Sequence, residues 1–485
     1  MGNARSKRIL FRADGNEKIG LGHIVRSSAL AYVINKNYNC RLATRCKVPE
    51  VLKEASGVFD HIVELPEIDF LSEAAKASEI FSNIDLIVLD GYAFDTAYQQ
   101  ELLRQKLNFF SIDDIHASDF YSRVVINHSG GLSPLDYHAQ PGTQFFLGPR
   151  YSLLRKPFLD AARARRRTID NKNCFVCFGG ADPSNKTLEI LKNNDILDQF
   201  DHFHVVTGSA YQHDKELMEF SSSKKNISTY SSLSAEELVS VMQKTCFAVC
   251  SPSTLVYEYM SVGGVVFLEQ IADNQKDVIR YMVEEGLAFL VKDIGRVDKN
   301  QIRLSLEKQS WCFDGRSDER LVKVFDQYFY SREIRVRRAV ESDMQVCFEW
   351  ANDASVREQS YNQKPISLHE HSDWFHQKLN DPDCFFYIME IDQKPGAQIR
   401  FQVNGIDAVL GYLLDRKMRN KGLGTSILSL GIEKFIQDLQ RPVNITGYVK
   451  DSNIRSQHSF EKLAFVKTIS TEYPDSLKYT MHYGN

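Results

Sequence analysis

The sequence predicts an α/β protein, two parallel-sheet lobes in tandem, followed by a separate α+β domain. Three observations carry this expectation. Up to about residue 330, short β-branched runs alternate with helical patterns, the signature of strand–helix–strand units and a parallel sheet. Near Tyr330 the order becomes strand, helix, helix, a run of consecutive strands, a long helix, a strand and another helix. The length of 485 residues also exceeds what one hydrophobic core usually spans.

In the first lobe, Arg8 to Ala13, Asp85 to Asp90, Leu107 to Ile112 and Arg123 to Asn127 read as strands. Phe175 to Phe178, Phe203 to Thr207, Phe247 to Cys250 and Gly264 to Leu268 read as strands of the second. Between them lies the basic stretch Arg163 to Arg167, read as a solvated connecting segment. In the last part, Cys384 to Ile391, Ala397 to Val403 and Ile406 to Leu414 follow one another through turns at Lys394-Pro395-Gly396 and Asn404-Gly405. The expected domains are residues 1–160, 161–332 and 333–485. Tandem parallel sheets leave a cleft, and ligands sit in such clefts.

A hydrophobic share of 43% and a charged share of 25% are those of ordinary globular proteins. The net charge of -4 argues against nucleic-acid binding, which needs a basic field. Any anionic ligand must then be held by local geometry. No apolar run approaches the ~20 residues that cross a bilayer, and no signal-peptide core follows Met1. Nine cysteines, an odd number in apolar contexts, read as buried thiols of a reducing cytoplasm. Cys174 and Cys177 fall on opposite faces of a strand, which disfavours a metal clip.

The first strand runs into Gly20-Leu21-Gly22-His23 and on to Arg26, at the opening of a helix. Glycines at such a junction let backbone N–H groups approach a ligand. The electropositive helix start disfavours imidazolium, so His23 would stay neutral and take a proton from water. A histidine there alone is equally a capping or packing residue. In the second lobe, a strand leads into Gly179-Gly180 and a helix start marked by Asp182 and Pro183. Ser253 and Thr254 open a helix suited to a diphosphate, and Glu258, one turn on, is placed to accept from a ribose diol. Asn274 and Gln275 open a further helix.

Taken with Leu89-Asp90-Gly91-Tyr92, Ile112-Asp113-Asp114 and the run from Leu147 to Arg155, these motifs resemble the UDP-sugar hydrolases of pseudaminic acid biosynthesis over roughly residues 8–330. That family is related to the GT-B enzymes, which implies a GT-B-like pair of Rossmann-type lobes. It implies hydrolysis of UDP-2,4-diacetamido-2,4,6-trideoxy-β-L-altrose to UDP and free sugar, with no metal required. His23 would activate water, with Tyr92 and Asn274 around the sugar. Gly20, Gly22, Arg26, Gly179, Gly180, Ser253, Thr254, Glu258 and Gln275 would hold the nucleotide and substrate. Pro252 departs from the family glycine and removes one N–H donor from the diphosphate grip.

In the last domain, a strand ending Tyr412-Leu413-Leu414 leads to Arg419-Asn420-Lys421-Gly422-Leu423-Gly424-Thr425 and a long helix. That spacing places consecutive free amides at a helix start, as a pyrophosphate needs. The order resembles the GNAT acetyltransferases, which implies acetyl-CoA as co-substrate. Arg419, Lys421, Gly422, Leu423, Gly424 and Thr425 would then lie at the pyrophosphate, Asn453 at the pantetheine, and the amides of Tyr412 to Leu414 at the thioester. Trp350-Ala351-Asn352-Asp353, Arg357, Ile366, His371 and Trp374-Phe375 resemble the nucleotide-sugar 4-amino N-acetyltransferase of the same pathway. Phe460 stands where many relatives carry an acidic tyrosine, which leaves protonation of the thiolate open.

Together the resemblances imply N-acetylation of UDP-4-amino-4,6-dideoxy-N-acetyl-β-L-altrosamine, followed by hydrolysis of its product. Two successive steps on one chain raise the local concentration of the intermediate. The partners are a UDP-sugar and acetyl-CoA, with neither nucleic acid nor membrane, and the oligomeric state is left open. The residues alone also admit a GT-B glycosyltransferase with an unrelated acyltransferase tail, or a non-catalytic module sensing nucleotide sugar and acetyl-CoA.

Overall fold

The computed structural model describes residues 7–16, 20–164, 169–272, 275–391, 393–419 and 422–484. Two compact units form: Met1–Ala117 with Ile126–Leu132 and Leu147–Val322, and Ser118–Val125 with Ser133–Phe146 and Lys323–Asn485.

The first sheet contains β1 (Arg8–Ala13), β2 (Asn39–Thr44), β3 (His61–Glu64), β4 (Leu86–Asp90), β5 (Phe109–Ile112), β6 (Val124–Asn127) and β7 (Gln144–Leu147). Its order is β3-β2-β1-β4-β5-β6-β7, with β1 parallel to both β2 and β4. The chain therefore reverses direction across the sheet between β1 and β4. Such a switch point opens a crevice at the carboxyl ends of the two strands. Every residue of β4 is buried, as expected of a parallel strand covered on both faces.

The second sheet repeats this plan with β8 (Asn173–Cys177), β9 (His202–Thr207), β10 (Ile227–Ser231), β11 (Phe247–Cys250), β12 (Val265–Leu268) and β13 (Phe289–Leu290). The order β10-β9-β8-β11-β12-β13 puts its switch point between β8 and β11. Cys174 and Cys177 enter different cores on the two faces of this sheet.

The third sheet contains β14 (Arg335–Arg338), β15 (Cys384–Ile391), β16 (Lys394–Asn404), β17 (Asp407–Leu414), β18 (Val443–Lys450), β19 (Val466–Ile469) and β20 (Ser476–Tyr483). Its order is β14-β15-β16-β17-β18-β20-β19. β16 and β17 are antiparallel, whereas β17 and β18 are parallel. The helix Leu423–Leu439 covers one face through Ile427, Leu428, Ile432 and Phe435, which pack on Ile399 and Phe401. Helices Met344–Ala351 and Leu368–Asn380 contribute Trp350 and Phe375 to a second core with Phe386 and Ile388.

Several expectations change. Lys394-Pro395-Gly396 is not a turn: these residues open β16, and Pro395 pairs with Glu390 beside an irregularity in β15. The helix expected at Asp182 begins at Lys186, because the Asp182 carboxylate accepts the amides of Lys186 and Thr187 at 2.9 and 2.8 Å. Three helices, not two, precede β15, the extra one being Ala354–Gln359. The segments Ser118–Val125 and Ser133–Phe146 group with the second unit. There Arg123 makes a two-pronged ion pair with Glu433 at 2.7 and 3.0 Å, and Ser429 donates to the Gly142 carbonyl at 2.8 Å. The grouping divides the chain within the helix Ser317–Ser331, at 322/323.

Candidate active sites

In the first unit, the carboxyl ends of β1 and β4 deliver Asp14 and Asp90, and His23 is the second residue of the helix Gly22–Ile34. His23 is 5% exposed and Asp90 fully buried. Nδ1 of His23 lies 2.9 Å from Oδ1 of Asp90. A carboxylate oxygen at that distance calls for a donor on Nδ1, and the neutral tautomer that provides one carries its lone pair on Nε2. Nη2 of Arg26 lies 3.0 Å from the same ring nitrogen and donates to Asp90 Oδ1 at 2.6 Å. Ser27 donates to the other oxygen at 3.0 Å. Burial alone would raise the Asp90 pKa; the Arg26 guanidinium and the His23 hydrogen bond overcome it and hold the carboxyl below its ordinary range.

Arg26 also reaches Asp114 at 2.6 Å, and Asp114 accepts the Tyr92 hydroxyl at 3.3 Å. The Tyr92 ring meets His23 edge-on at 4.7 Å, and burial with the neighbouring Asp114 charge pushes its phenol up to about 12. Tyr92 is thus a neutral donor beside the histidine. A second imidazole, His128, follows β6 and packs against Tyr257 at 4.9 Å between ring centres. Burial, then the Arg26 charge, lowers its pKa to about 4. Among the described residues neither ring nitrogen of His128 is hydrogen-bonded.

Tyr257 belongs to the helix Thr254–Val262, which follows β11, so its contact with His128 brings the carboxyl ends of both sheets to one place. Ser253 is that helix's N-cap and makes no side-chain capping bond. Glu258 is 2% exposed and is held by Arg155 through two hydrogen bonds, at 2.8 and 2.9 Å. The glycine turns are open: an added Cβ at Gly20, Gly22, Gly179 or Gly180 would meet nothing within 4 Å. Gln275 turns its side chain back to accept from Ile271 and Ala272 at 2.9 and 3.2 Å. Asn274 and Lys421 lie outside the described residues.

In the second unit, β17 pairs with β18 only from Asp407 to Leu410, although the strands run on to Leu414 and Lys450. The last residues of β17, Gly411 to Leu414, therefore present an edge unpaired with β18, a wedge where backbone groups await a partner. The Leu414 carbonyl is taken by Nε of Arg419 at 3.0 Å. Arg419 also pairs with Asp353 at 2.8 Å, and hydrogen bonds from Ser355 and then Arg419 hold that carboxyl at about 2. Arg419 thus braces the strand end. Gly422, at φ 75, caps the helix start, and a Cβ there would run into Gln327 at 1.7 Å. Leu423 and Thr425 turn buried side chains inward, leaving backbone amides as their means of meeting a ligand. Asn453 caps the helix Ile454–Glu461 by accepting from Ser456 at 3.2 Å. Phe460 is buried, stacked on Tyr479 at 5.1 Å, and lies 6.2 Å from Tyr412, whose hydroxyl meets Ser456 at 2.9 Å.

Asp90, Asp114, His128 and Arg155 were not assigned roles by sequence reasoning. All but His128 lie within the motifs named above, but only tertiary neighbours show what they orient.

Fold and motifs together define a chain of parallel-sheet Rossmann-like domains with a GNAT-like domain. Residues 333–466 match the family described as acetyltransferase (GNAT) domain. An uncharacterized protein of Methanocaldococcus jannaschii is 24% identical over 503 aligned positions, covering 95% of this chain and 97% of its own. A UDP-2,4-diacetamido-2,4,6-trideoxy-β-L-altropyranose hydrolase of Campylobacter jejuni is 23% identical, over 58% of this chain and 97% of its own. A spore coat polysaccharide biosynthesis protein of Bacillus subtilis is 22% identical, over 66% and 98%. Among solved structures, an aminoglycoside acetyltransferase in complex with paromomycin and acetyl-CoA is 18% identical, covering 31% of this chain and 92% of its own, with a TM-score of 0.28.

Proposed function

We propose that the chain is a bifunctional enzyme of pseudaminic-acid-type sugar synthesis. Its GNAT domain transfers acetyl from acetyl-CoA to the 4-amino group of a UDP-linked amino sugar. Its paired lobes, of GT-B type, then hydrolyse the UDP-diacetamido sugar to UDP and free 2,4-diacetamido-2,4,6-trideoxy-L-altrose. The observation that carries the hydrolytic half is the His23–Asp90 pair at the switch point of the first sheet. With its proton held on Nδ1, the ring accepts one from water at Nε2, and the oxygen attacks the anomeric carbon. The C1–O bond to the diphosphate breaks, and UDP leaves with the electron pair. Amides at the Gly179 turn and at Thr254 are suited to its growing charge. Glu258, braced by Arg155, is suited to a ribose diol. Similarity to a hydrolase named for this substrate supports the choice of sugar.

The wedge between β17 and β18 supports the acyl-transfer half, since an extended thioester arm would meet the unpaired edge there. The amine attacks the thioester carbonyl, a C–N bond forms as the C–S bond breaks, CoA leaves as thiolate, and the proton lost by nitrogen passes to solvent. The test supplies the UDP-4-amino sugar with and without acetyl-CoA and follows CoA and UDP release. CoA release first, with UDP release dependent on it, is the expected result. Sugar transfer to an added acceptor, outpacing hydrolysis, would make the lobes a glycosyltransferase instead.

A further inference from the structure

Arg400 lies in the middle of β16, between Ile399 and Phe401, whose side chains enter the core beneath the helix Leu423–Leu439. Alternation along the strand turns Arg400 to the opposite face. Its strand neighbours there are Phe386 on β15 and Gly411 on β17. The guanidinium lies 4.7 Å from the centre of the Trp374 indole, and its Nε is buried without a hydrogen-bond partner. Among the described residues no carboxylate pairs with it. Burial pulls this guanidinium below its ordinary range.

A half-buried cation with an unpartnered buried Nε and no counter-charge is costly, the more so the less water reaches it, and is kept where something else neutralises it. Two further orphaned polar atoms lie on this side of the sheet, one of them beside the same indole. Nε2 of His371 is buried without a partner, and its ring lies 5.3 Å from Trp374. Oε1 of Gln398, two residues along the same strand face, is likewise buried and unpartnered. There is room beside them: Gly411 is exposed, and a Cβ on it would meet nothing within 4 Å. Gly411 is also the first residue of β17 beyond its pairing with β18.

We propose that Arg400 anchors the anionic diphosphate of the acetyl acceptor, a nucleotide-linked amino sugar, on the Trp374 face of the acetyltransferase domain. This rests on the acceptor class given above. The donor's pyrophosphate and the acceptor's diphosphate are then held on different faces of the sheet, and the amine meets the thioester where the strands part. A planar guanidinium, stacked on an indole and offering parallel N–H groups, suits phosphate oxygens. Gln398 offers an acceptor and His371 a ring nitrogen for the ligand's own polar groups. Arg400 is a binding residue in this scheme; it moves no proton.

The experiment measures CoA release by the full-length chain as the UDP-linked amino sugar is varied, in wild type, Arg400→Gln and Arg400→Lys, with UDP as competing anion. In Arg400→Gln the KM for the amine is expected to rise at least about tenfold, the loss of a charge-assisted contact. Inhibition by UDP should weaken by a similar factor while the KM for acetyl-CoA stays unchanged; Arg400→Lys recovers part of the loss. Unchanged amine KM and unchanged UDP inhibition in Arg400→Gln overturn the proposal, as does a fall in kcat alone. A wild-type chain that acetylates no UDP-linked amine overturns the functional reading itself, a separate result.

Discussion

Oδ1 of the fully buried Asp90 receives both Nδ1 of His23, at 2.9 Å, and Nη2 of Arg26, at 2.6 Å. One carboxylate thus fixes the ring's tautomer while a guanidinium keeps that carboxylate ionised. In Asp90→Asn the amide can offer a donor to Nδ1 and move the ring proton to Nε2, the nitrogen meant to receive one. UDP release should fall by about 10⁴-fold, the size of effect seen when a His–Asp pair loses its tautomer control. CoA release should be unchanged. Steady-state assays of both products check this, and equal loss of both would point to misfolding.

His128 gives a pH signature of the fold. Its ordinary pKa of 6.5 falls to about 4 on folding, mainly through burial. The unfolded chain therefore binds this proton first. The contribution to stability is present above pH 6.5 and drains as pH falls toward 4, at about 1.4 kcal/mol per unit. Urea unfolding at pH 5 and pH 7.5 should show wild type losing about 1–2 kcal/mol more than His128→Asn over that interval. Equal losses in both proteins would contradict it.

Much of the frame was legible in the sequence, because buried parallel strands such as Leu86–Asp90 are unbroken apolar runs and the glycine turns follow them directly. β3 was not, since His61–Glu64 is a short edge strand with no buried residue. The roles of Asp90 and Arg155 required tertiary facts: β1 lies beside β4, and Arg155 meets Glu258 about a hundred residues further along the chain. His128 reads as one polar residue in an Asn-His-Ser loop until Tyr257 is seen against it. Arg400 alternates with core residues and looks like an ordinary solvent-facing position until Trp374 covers it.

The Arg155–Glu258 pair should show an asymmetric cost. Glu258 has a side chain 3% exposed, Arg155 one 26% exposed. Arg155→Met leaves a buried carboxylate without its partner and should lower unfolding free energy by about 3 kcal/mol. Adding Glu258→Met should restore much of it, while UDP binding stays impaired. Denaturant midpoints of the three proteins, with UDP titration, decide this; additive losses would refute the pairing.

Gly422→Ala places a Cβ where the backbone has φ 75 and where Gln327 stands 1.7 Å away. The Gln327 amide must swing away, and a side chain at that positive φ strains the helix start and the amides that the proposed function sets at the pyrophosphate. The KM for acetyl-CoA should rise about tenfold or more, with UDP release from the diacetamido sugar unaffected. Kinetics with each substrate supplied separately are the check.

The most direct measurement uses His23→Ala with the UDP-4-amino sugar and acetyl-CoA, following both products by chromatography. CoA should appear at the wild-type rate and the UDP-diacetamido sugar should accumulate unhydrolysed. UDP appearing as fast as in wild type would show that the His23 imidazole does not activate water.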